Sequence, residues 1–232
     1  MTDTEFDTAL VTAAFRIAGG QGWHQVNAAA AAREAGLSLA QARERFPSPA
    51  SILLRFGRLA DQAALMDATS DGTVRDRLFD LLLRRFDVMQ RHRAGVKALL
   101  RLLPTHPPTA LLLACATKRS MRWMLQAAGV TARGTRGELQ VRGLLAVWLW
   151  GLRAWERDES DDLSSTMAAV DAALRRAEQI ASWLHGQSST RSAPPSPPIS
   201  EQAGELDSST PPPSPPPAPP PIDEPPLPES PA

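Results

Sequence analysis

Side chains able to do acid–base, metal or nucleophilic chemistry occur in this sequence, but their spacing suits none of these reactions. The histidines lie on separate segments, and no two of them have metal-ligand spacing on one helix: His24, His92, His106 and His185. Four acids cluster at 158–162, directly before a predicted helix, where carboxylates compensate the positive end of the helix dipole. No nucleophile elbow or phosphate-binding loop is present. We therefore expect no enzymatic activity, no metal and no cofactor.

Charge is distributed unevenly along the chain. The formal net charge is zero, but residues 1–186 carry 24 bases and 19 acids, whereas residues 187–232 carry one base and six acids. Between residues 73 and 153 there are 15 bases and only four acids. This stretch indicates either a solvated arginine-rich surface or a surface for an anion, an acidic lipid or nucleic acid.

Cysteine content and hydropathy indicate a cytoplasmic protein. The single Cys115 excludes an intrachain disulfide framework and lies in an apolar run, so we expect a small buried side chain in a reducing compartment. The longest apolar-looking stretch, 143–152, is too short to span a bilayer, and the acidic first residues do not suit a secretory signal. We expect no integral membrane segment.

Composition separates a structured body from a tail. Seventeen of the 22 prolines follow Gln187, and residues 187–232 contain few large apolar side chains. Because such a segment cannot repay the entropy of ordering, we predict a disordered proline-rich tail over 187–232.

Hydrophobic periodicity predicts an all-α fold with about nine helices and no sheet. In the first part we predict a helix over 4–18 that ends at Gly19-Gly20, followed by a short alanine-rich helix over 28–35 capped by Asn27. After Gly36, Ser38 caps another short helix over 39–45, and Pro47-Ser48-Pro49 precedes a helix over 50–68. This order is a helix, a glycine-containing turn and a helix.

The later helices are longer and more apolar. We predict one that begins at Thr73, then helices over 94–103, 107–128 and 138–156, and a last one from Ser160 to Leu184 that ends at Gly186. Large aromatic rings are concentrated here, since five of the six tryptophans follow residue 120. These rings either fill a core or line a pocket for a hydrophobic ligand.

Residues 9–56 resemble the DNA-binding part of TetR-family transcriptional regulators. The resemblance rests on four strings in order, which are Ala14-Phe15, Gly22-Trp23, Ala31-Ala32-Arg33-Glu34-Ala35-Gly36-Leu37-Ser38, and Arg45-Phe46-Pro47-Ser48 followed by Ile52-Leu53. It implies a three-helix, helix-turn-helix domain over 1–56, a helical ligand-binding and dimerisation domain over 57–186, and the tail. The implied function is a ligand-responsive regulator, most simply a repressor, that binds operator DNA.

The same resemblance implies a set of site residues. The recognition helix over 39–45 would enter the major groove with candidate contacts from Ser38, Gln41, Arg43, Glu44, Arg45, Ser48 and Arg55. Arg43 and Pro49 stand where the family usually has an aromatic residue and a lysine that touch phosphate, and this departure predicts weakened DNA binding. The larger domain would pair with a second copy through its last two helices. Its pocket for a hydrophobic small molecule would be lined by Met121, Trp123, Met124, Leu145, Trp148 and Leu152.

A second resemblance points to a different function. Residues 148–178 are similar to the C-terminal part of the coenzyme-Q lipid-binding family of ubiquinone biosynthesis, in a pattern formed by Trp155, Asp158, Ser160, Asp161, Thr166 and Asp171. The run Val74-Arg75-Asp76-Arg77, with His92-Arg93 after it, fits the same family. It implies a TetR-like fold that binds an isoprenoid lipid and not DNA. The alternative explanation of the pattern is a helix cap followed by a packing helix.

Overall fold

The computed structural model describes residues 1–66, 71–160 and 162–190, and side chains up to residue 182. Within these ranges it contains nine α-helices and no strand, so the all-α prediction is confirmed. The helices are α1 Asp3–Gln21, α2 Ala28–Ala35, α3 Leu39–Arg45, α4 Pro49–Leu65, α5 Val74–Arg91, α6 Arg93–Leu102, α7 Pro107–Ala127, α8 Gly134–Arg157 and α9 Ser164–Thr190. Residues 187–190 of the predicted tail belong to α9, and the rest of the predicted tail lies outside the described residues.

The turn between α2 and α3 forms as its capping residues predict. Asn27 Oδ1 accepts a hydrogen bond from the Ala30 amide at 2.9 Å and starts α2. Gly36 ends α2 in the left-handed region (φ 64°), which costs glycine little, and the Leu37 amide then donates to the Ala32 carbonyl at 2.8 Å. Ser38 caps α3. Both short helices have the predicted bounds.

Helix α1 does not end at Gly19-Gly20, and this part of the prediction is wrong. It continues to Gln21, and Gly22 at φ 87° ends it. Gly19 is needed for close packing, because a Cβ on it would lie 2.8 Å from the Ala94 Cβ of α6. On the other side of the same crossing, a Cβ on Gly95 would lie 2.3 Å from the Phe15 carbonyl oxygen. The glycines therefore allow α1 and α6 to approach each other closely.

Helix α6 also anchors the turn that precedes α2. The indole Nε1 of the buried Trp23 donates to the Gly95 carbonyl at 3.0 Å. The Trp23 ring also packs edge-on against Phe15, with ring centroids 5.0 Å apart. The helix-turn-helix unit is thus joined to the larger set of helices by packing and by a buried hydrogen bond.

The last two helices differ from their predicted bounds at three ends. Helix α8 begins at Gly134 and not at 138, and α9 begins at Ser164 and not at Ser160. Helix α9 then continues through Gly186 to Thr190, because a glycine within a helix weakens it without ending it. At the centre of the larger domain, Phe86 of α5 stacks on Trp148 of α8 with ring centroids 4.5 Å apart.

Candidate nucleic-acid interface and candidate ligand site

Helix α3 presents a polar face outward. Gln41, Arg43 and Glu44 are exposed, while Ala42 is fully buried and fixes the helix against its neighbours. Arg43 Nη1 donates to the Pro47 carbonyl at 3.2 Å, which holds this guanidinium beside the turn after α3. These three side chains are therefore the part of the predicted reading face that the structure leaves accessible.

The two predicted serine contacts are helix caps. Ser38 Oγ accepts from the Gln41 amide at 3.4 Å, and Ser48 Oγ accepts from the Ser51 amide at 3.3 Å. Both serines remain exposed. Pro49 follows Ser48 at the first position of α4 and lacks an amide hydrogen, so this helix end offers one donor fewer to a phosphate.

Arg45 and Arg55, for which the resemblance implies contacts with DNA, are both paired with an acid of α1. Both guanidinium groups meet the buried carboxylate of Asp7 on α1. Arg45 Nε donates to Asp7 Oδ1 at 2.7 Å, and Arg45 Nη1 lies 2.9 Å from Asp3 Oδ1. Arg55 Nε lies 2.6 Å from Asp7 Oδ2, an ion contact without hydrogen-bond alignment. The two arginines thus tie α3 and α4 to α1.

Burial and charge make this arrangement strong. The Asp7 side chain is 6% exposed, and those of Arg45 and Arg55 are 30% and 19% exposed. The hydrogen bonds to Asp7 and Asp3 raise the pKa of Arg45 above its ordinary value. Residues 1–56 contain five arginines and five acids, so the unit carries no net charge. That balance is a weak electrostatic basis for contact with DNA.

Sequence reasoning missed Asp7, although a signal was present. In α1 this residue stands three, four and seven positions before Leu10, Val11 and Ala14, all buried, and so shares their face. A carboxylate on an apolar face needs a buried cation as its partner. The two arginines that supply it are distant in sequence, and periodicity does not identify them.

The predicted pocket residues do not all face one interior. Met121, Met124 and Trp148 are buried in the core, and Leu145 and Leu152 are half-buried against it. Trp123 is 57% exposed, and its prediction as a lining residue is wrong. It projects outward because α7 buries the side of Met121 and Met124, and a residue between them points away.

A cluster of polar side chains, Asp61, Arg85 and Ser120, lies next to Trp148, and sequence reasoning missed it as well. Arg85 of α5 forms an ion pair with Asp61 of α4, and its guanidinium lies 4.9 Å from the centre of the Trp148 ring. Ser120 of α7 donates to the other Asp61 oxygen at 2.5 Å. Burial lowers the pKa of Arg85 to about 10, so it is charged at neutral pH. The sequence did contain a signal for the burial of Arg85, because this residue lies four positions after Leu81 and three after Leu82 and so shares their apolar face.

Helix α7 presents a different surface outward. A shallow depression there is lined by Cys115, Lys118, Arg119, Arg122, Trp123 and Gln126. The Cys115 side chain is exposed, so the expectation that it is buried is wrong. Lys118, Arg122 and Arg142 all pair with Glu138 of α8, and Lys118, followed by Arg142, lowers the pKa of that carboxyl. Three cations around one carboxylate leave this surface positive.

The pattern that resembles the ubiquinone family forms the connection between α8 and α9. Burial alone would raise the pKa of Asp158, but hydrogen bonds from Ser160 and Thr166 lower it to about 2. Asp158 Oδ2 accepts from the Thr166 amide and hydroxyl, both at 2.8 Å, which satisfies the start of α9. Asp171 pairs with Arg175 at 2.5 Å, and Asp161 lies outside the described residues.

Trp155 is fully buried and is held by polar contacts with α5 and α6. Its indole Nε1 donates to Gln90 Oε1 at 3.0 Å, and the Arg93 guanidinium lies 4.8 Å from the centre of its ring. Arg93 also donates to the Asp158 carbonyl. In the described residues, then, this pattern has a structural role as a helix cap and packing site.

No described helix is long and apolar enough to cross a membrane. No three histidine, cysteine or acidic side chains of residues 1–66, 71–160 and 162–182 converge as a metal site would require.

Known proteins were compared by sequence and by structure. No protein-family model matches the sequence, and no curated protein matches it at a significant level. A TetR transcriptional regulator from Nitrosomonas europaea is similar in structure, with a TM-score of 0.60 and 19% identity over 75% of this chain and 99% of that one. A TetR-family regulator described as putative, from Rhodococcus sp., gives a TM-score of 0.53 at 17% identity over 75% and 98%. A TetR transcriptional regulator from Rhodococcus sp. RHA1 gives a TM-score of 0.52 at 16% identity over 76% of this chain and 97% of that one. The chain therefore has the fold of the TetR-family transcriptional regulators.

Proposed function

We propose that this protein is a TetR-type transcriptional regulator that binds operator DNA as a homodimer and responds to a hydrophobic ligand. The observation that carries the proposal is the α2–Gly36–α3 turn, with Gln41, Arg43 and Glu44 exposed on the outer face of the second helix. In a dimer, two such helices about 34–36 Å apart would enter successive major grooves. Direct base reading would come from Gln41 and Arg43.

Exposed apolar side chains support dimerisation through α8 and α9. Leu139, Leu149 and Trp150 of α8 are all more than half exposed, and so is Ile180 of α9. The three residues of α8 lie away from the side of that helix that packs into the core. Large apolar residues on one exposed face are typical of an interface. Sedimentation of the wild type and of Trp150→Arg, which places a charge on this face, tests the dimer.

A hydrophobic ligand would bind among the predicted pocket residues of the later helices. Met121, Met124 and Trp148 are buried in the core, and Leu145 and Leu152 pack against it, so a ligand among them has to displace side chains. A hydrophobic compound that binds only the folded protein raises its unfolding free energy by about 2.7 kcal/mol at a hundred times its Kd. A thermal-shift screen of hydrophobic compounds, with the hits then tested for release of DNA, examines this step.

The decisive experiment is selection of binding sites from random duplex DNA, followed by affinity measurements on the selected site. Arg43→Ala and Gln41→Ala should each weaken binding by about 1–3 kcal/mol if they read bases. Arg101→Ala, which removes an exposed cation from the last turn of α6, is the control and should leave the affinity unchanged. Equal affinities for all four proteins would contradict the assigned reading face.

A second candidate is a TetR-fold protein of ubiquinone biosynthesis that binds an isoprenoid lipid without binding DNA. One specific observation favours it. Asp7 already pairs with Arg45 and Arg55, and residues 1–56 carry no net charge that would attract DNA. This candidate would be supported over the regulator if native mass spectrometry showed an isoprenoid bound to the purified protein and the selection from random DNA yielded no binding site.

A further inference from the structure

The contacts of Arg45 resemble those that a DNA phosphate would make. This guanidinium stands in the last turn of α3 and is held by two carboxylates of α1, Asp7 on Nε and Asp3 on Nη1. Arg45 Nη2 additionally donates to the Asp3 backbone carbonyl at 3.4 Å. Carboxylate and phosphate oxygens accept hydrogen bonds from the planar guanidinium in similar ways. The α1 acids therefore occupy donors that DNA would otherwise use.

The two carboxylates differ in how easily they can be displaced. The Asp7 side chain is 6% exposed and serves both Arg45 and Arg55, so its separation would leave buried charges without partners. The Asp3 side chain is 88% exposed, and an exposed ion pair contributes little to stability. Only Asp3 can leave at low cost, and its departure frees the outer side of the Arg45 guanidinium.

We propose that Asp3 competes with DNA phosphate for Arg45 and so limits the strength and the salt dependence of DNA binding. This inference rests on the proposed function. Asp7 keeps Arg45 oriented at the end of α3, and Asp3 covers the donors that would reach a phosphate. DNA must displace Asp3 before Arg45 contributes a contact, and the Asp3 charge opposes the approach of the backbone as well.

The test uses Asp3→Asn and a matched control, Glu5→Gln. Both changes remove one negative charge from the first turn of α1. Glu5 is exposed and completes the cap with Thr2, a role that glutamine also fills. Circular dichroism should show similar unfolding temperatures for the two variants, since both side chains are exposed. A further protein combines Asp3→Asn with Arg45→Gln and is compared with Arg45→Gln alone.

Binding is measured by fluorescence anisotropy with a labelled random-sequence 30-base-pair duplex at several NaCl concentrations. The phosphate contribution does not depend on sequence, so the operator need not be known. We expect Asp3→Asn to bind about two- to fivefold more tightly than Glu5→Gln, which is the strength of one exposed ion pair. We expect its plot of log K against log salt to be steeper by about 0.9, the value for one added phosphate contact. Without Arg45, the gain should vanish.

Equal affinities and slopes for Asp3→Asn and Glu5→Gln would overturn the inference while leaving the regulator proposal intact. A gain that persists in the Arg45→Gln background would also overturn it, because the effect would then be one of general charge. The second outcome requires that the double variant folds. The comparison of Asp3→Asn with Glu5→Gln does not use the double variant and tests the inference in any case. If none of the proteins, wild type included, binds the duplex or any selected site at low salt, the proposed function fails together with the inference.

Discussion

The buried pair of Asp61 and Arg85 allows a quantitative test of how the larger domain is held together. The Arg85 side chain is 8% exposed and its carboxylate partner 21% exposed. Asp61→Ala leaves the guanidinium buried without a counter-ion, while Ser120 keeps an acceptor in the Ala116 carbonyl at 3.2 Å. Loss of one partner of a buried pair costs about 3–5 kcal/mol, and the partial exposure of Asp61 favours the lower value because water can reach the cation.

For a chain of this size, each 1 kcal/mol lowers the unfolding temperature by about 2–4 °C. We therefore expect Asp61→Ala to unfold about 6–12 °C below the wild type in differential scanning calorimetry. The control is Asp171→Ala, which breaks the more exposed pair with Arg175 on α9 and should cost less than about 1 kcal/mol.

A double variant separates the charge effect from loss of packing. Asp61→Leu combined with Arg85→Met replaces both charges by apolar side chains and should recover most of the lost stability, because a buried ion pair gains little over well-packed apolar residues. An Asp61→Ala variant that unfolds no lower than Asp171→Ala would refute the reasoning. In that case Arg85 would not depend on Asp61 for its burial.

Three further predictions concern α9, α6 and α7. The pKa of Asp158 is about 2 in the folded chain against an ordinary 3.8, so its carboxylate stabilises the fold above pH about 4, and this contribution is lost as the pH falls towards 2. The unfolding temperature of Asp158→Asn should thus fall less steeply over this range than that of the wild type, and parallel curves would contradict the assignment. Gly95→Ala should lower the free energy of unfolding by about 1–3 kcal/mol, because the new Cβ would meet the Phe15 carbonyl. Gly57→Ala, which has open space around it, is the control and should be neutral or stabilising; chemical denaturation measures both. Cys115 should react with Ellman's reagent in the folded protein as fast as in urea, and a protected thiol would contradict its exposure.

Local signals in the sequence were sufficient for α2 and α3. Asn27, Gly36 and Ser38 act on backbone groups no more than four positions away, and the predicted bounds of α2 and α3 are therefore confirmed. The same rules misassigned Gly19 as a helix end, because its role is set by Ala94 on another helix. A glycine needed for close packing and a glycine that ends a helix look alike in a single sequence.

The candidate site was less predictable, because its decisive contacts are long-range. The pairs between Arg45 and Asp7 and between Arg85 and Asp61 join residues 38 and 24 positions apart. A charged residue on an apolar face shows that a partner must exist, but it does not identify that partner. Trp123 was wrongly predicted to line the pocket for a related reason. It stands between two buried methionines, Met121 and Met124, and the presence of many large rings does not show which side of the helix each ring faces.

Helix α4 connects the two charge clusters of the molecule. Its Arg55 contacts Asp7 in the helix-turn-helix unit, and its Asp61 contacts Arg85 in the larger domain. These positions are six residues apart, or about 9 Å along the helix axis, and Gly57 lies between them. Because each contact involves a largely buried charge, α4 cannot slide relative to either side without separating an ion pair or carrying its partner with it. Displacement of Arg85 therefore has to break its pair with Asp61 or move α4, and with it Arg55.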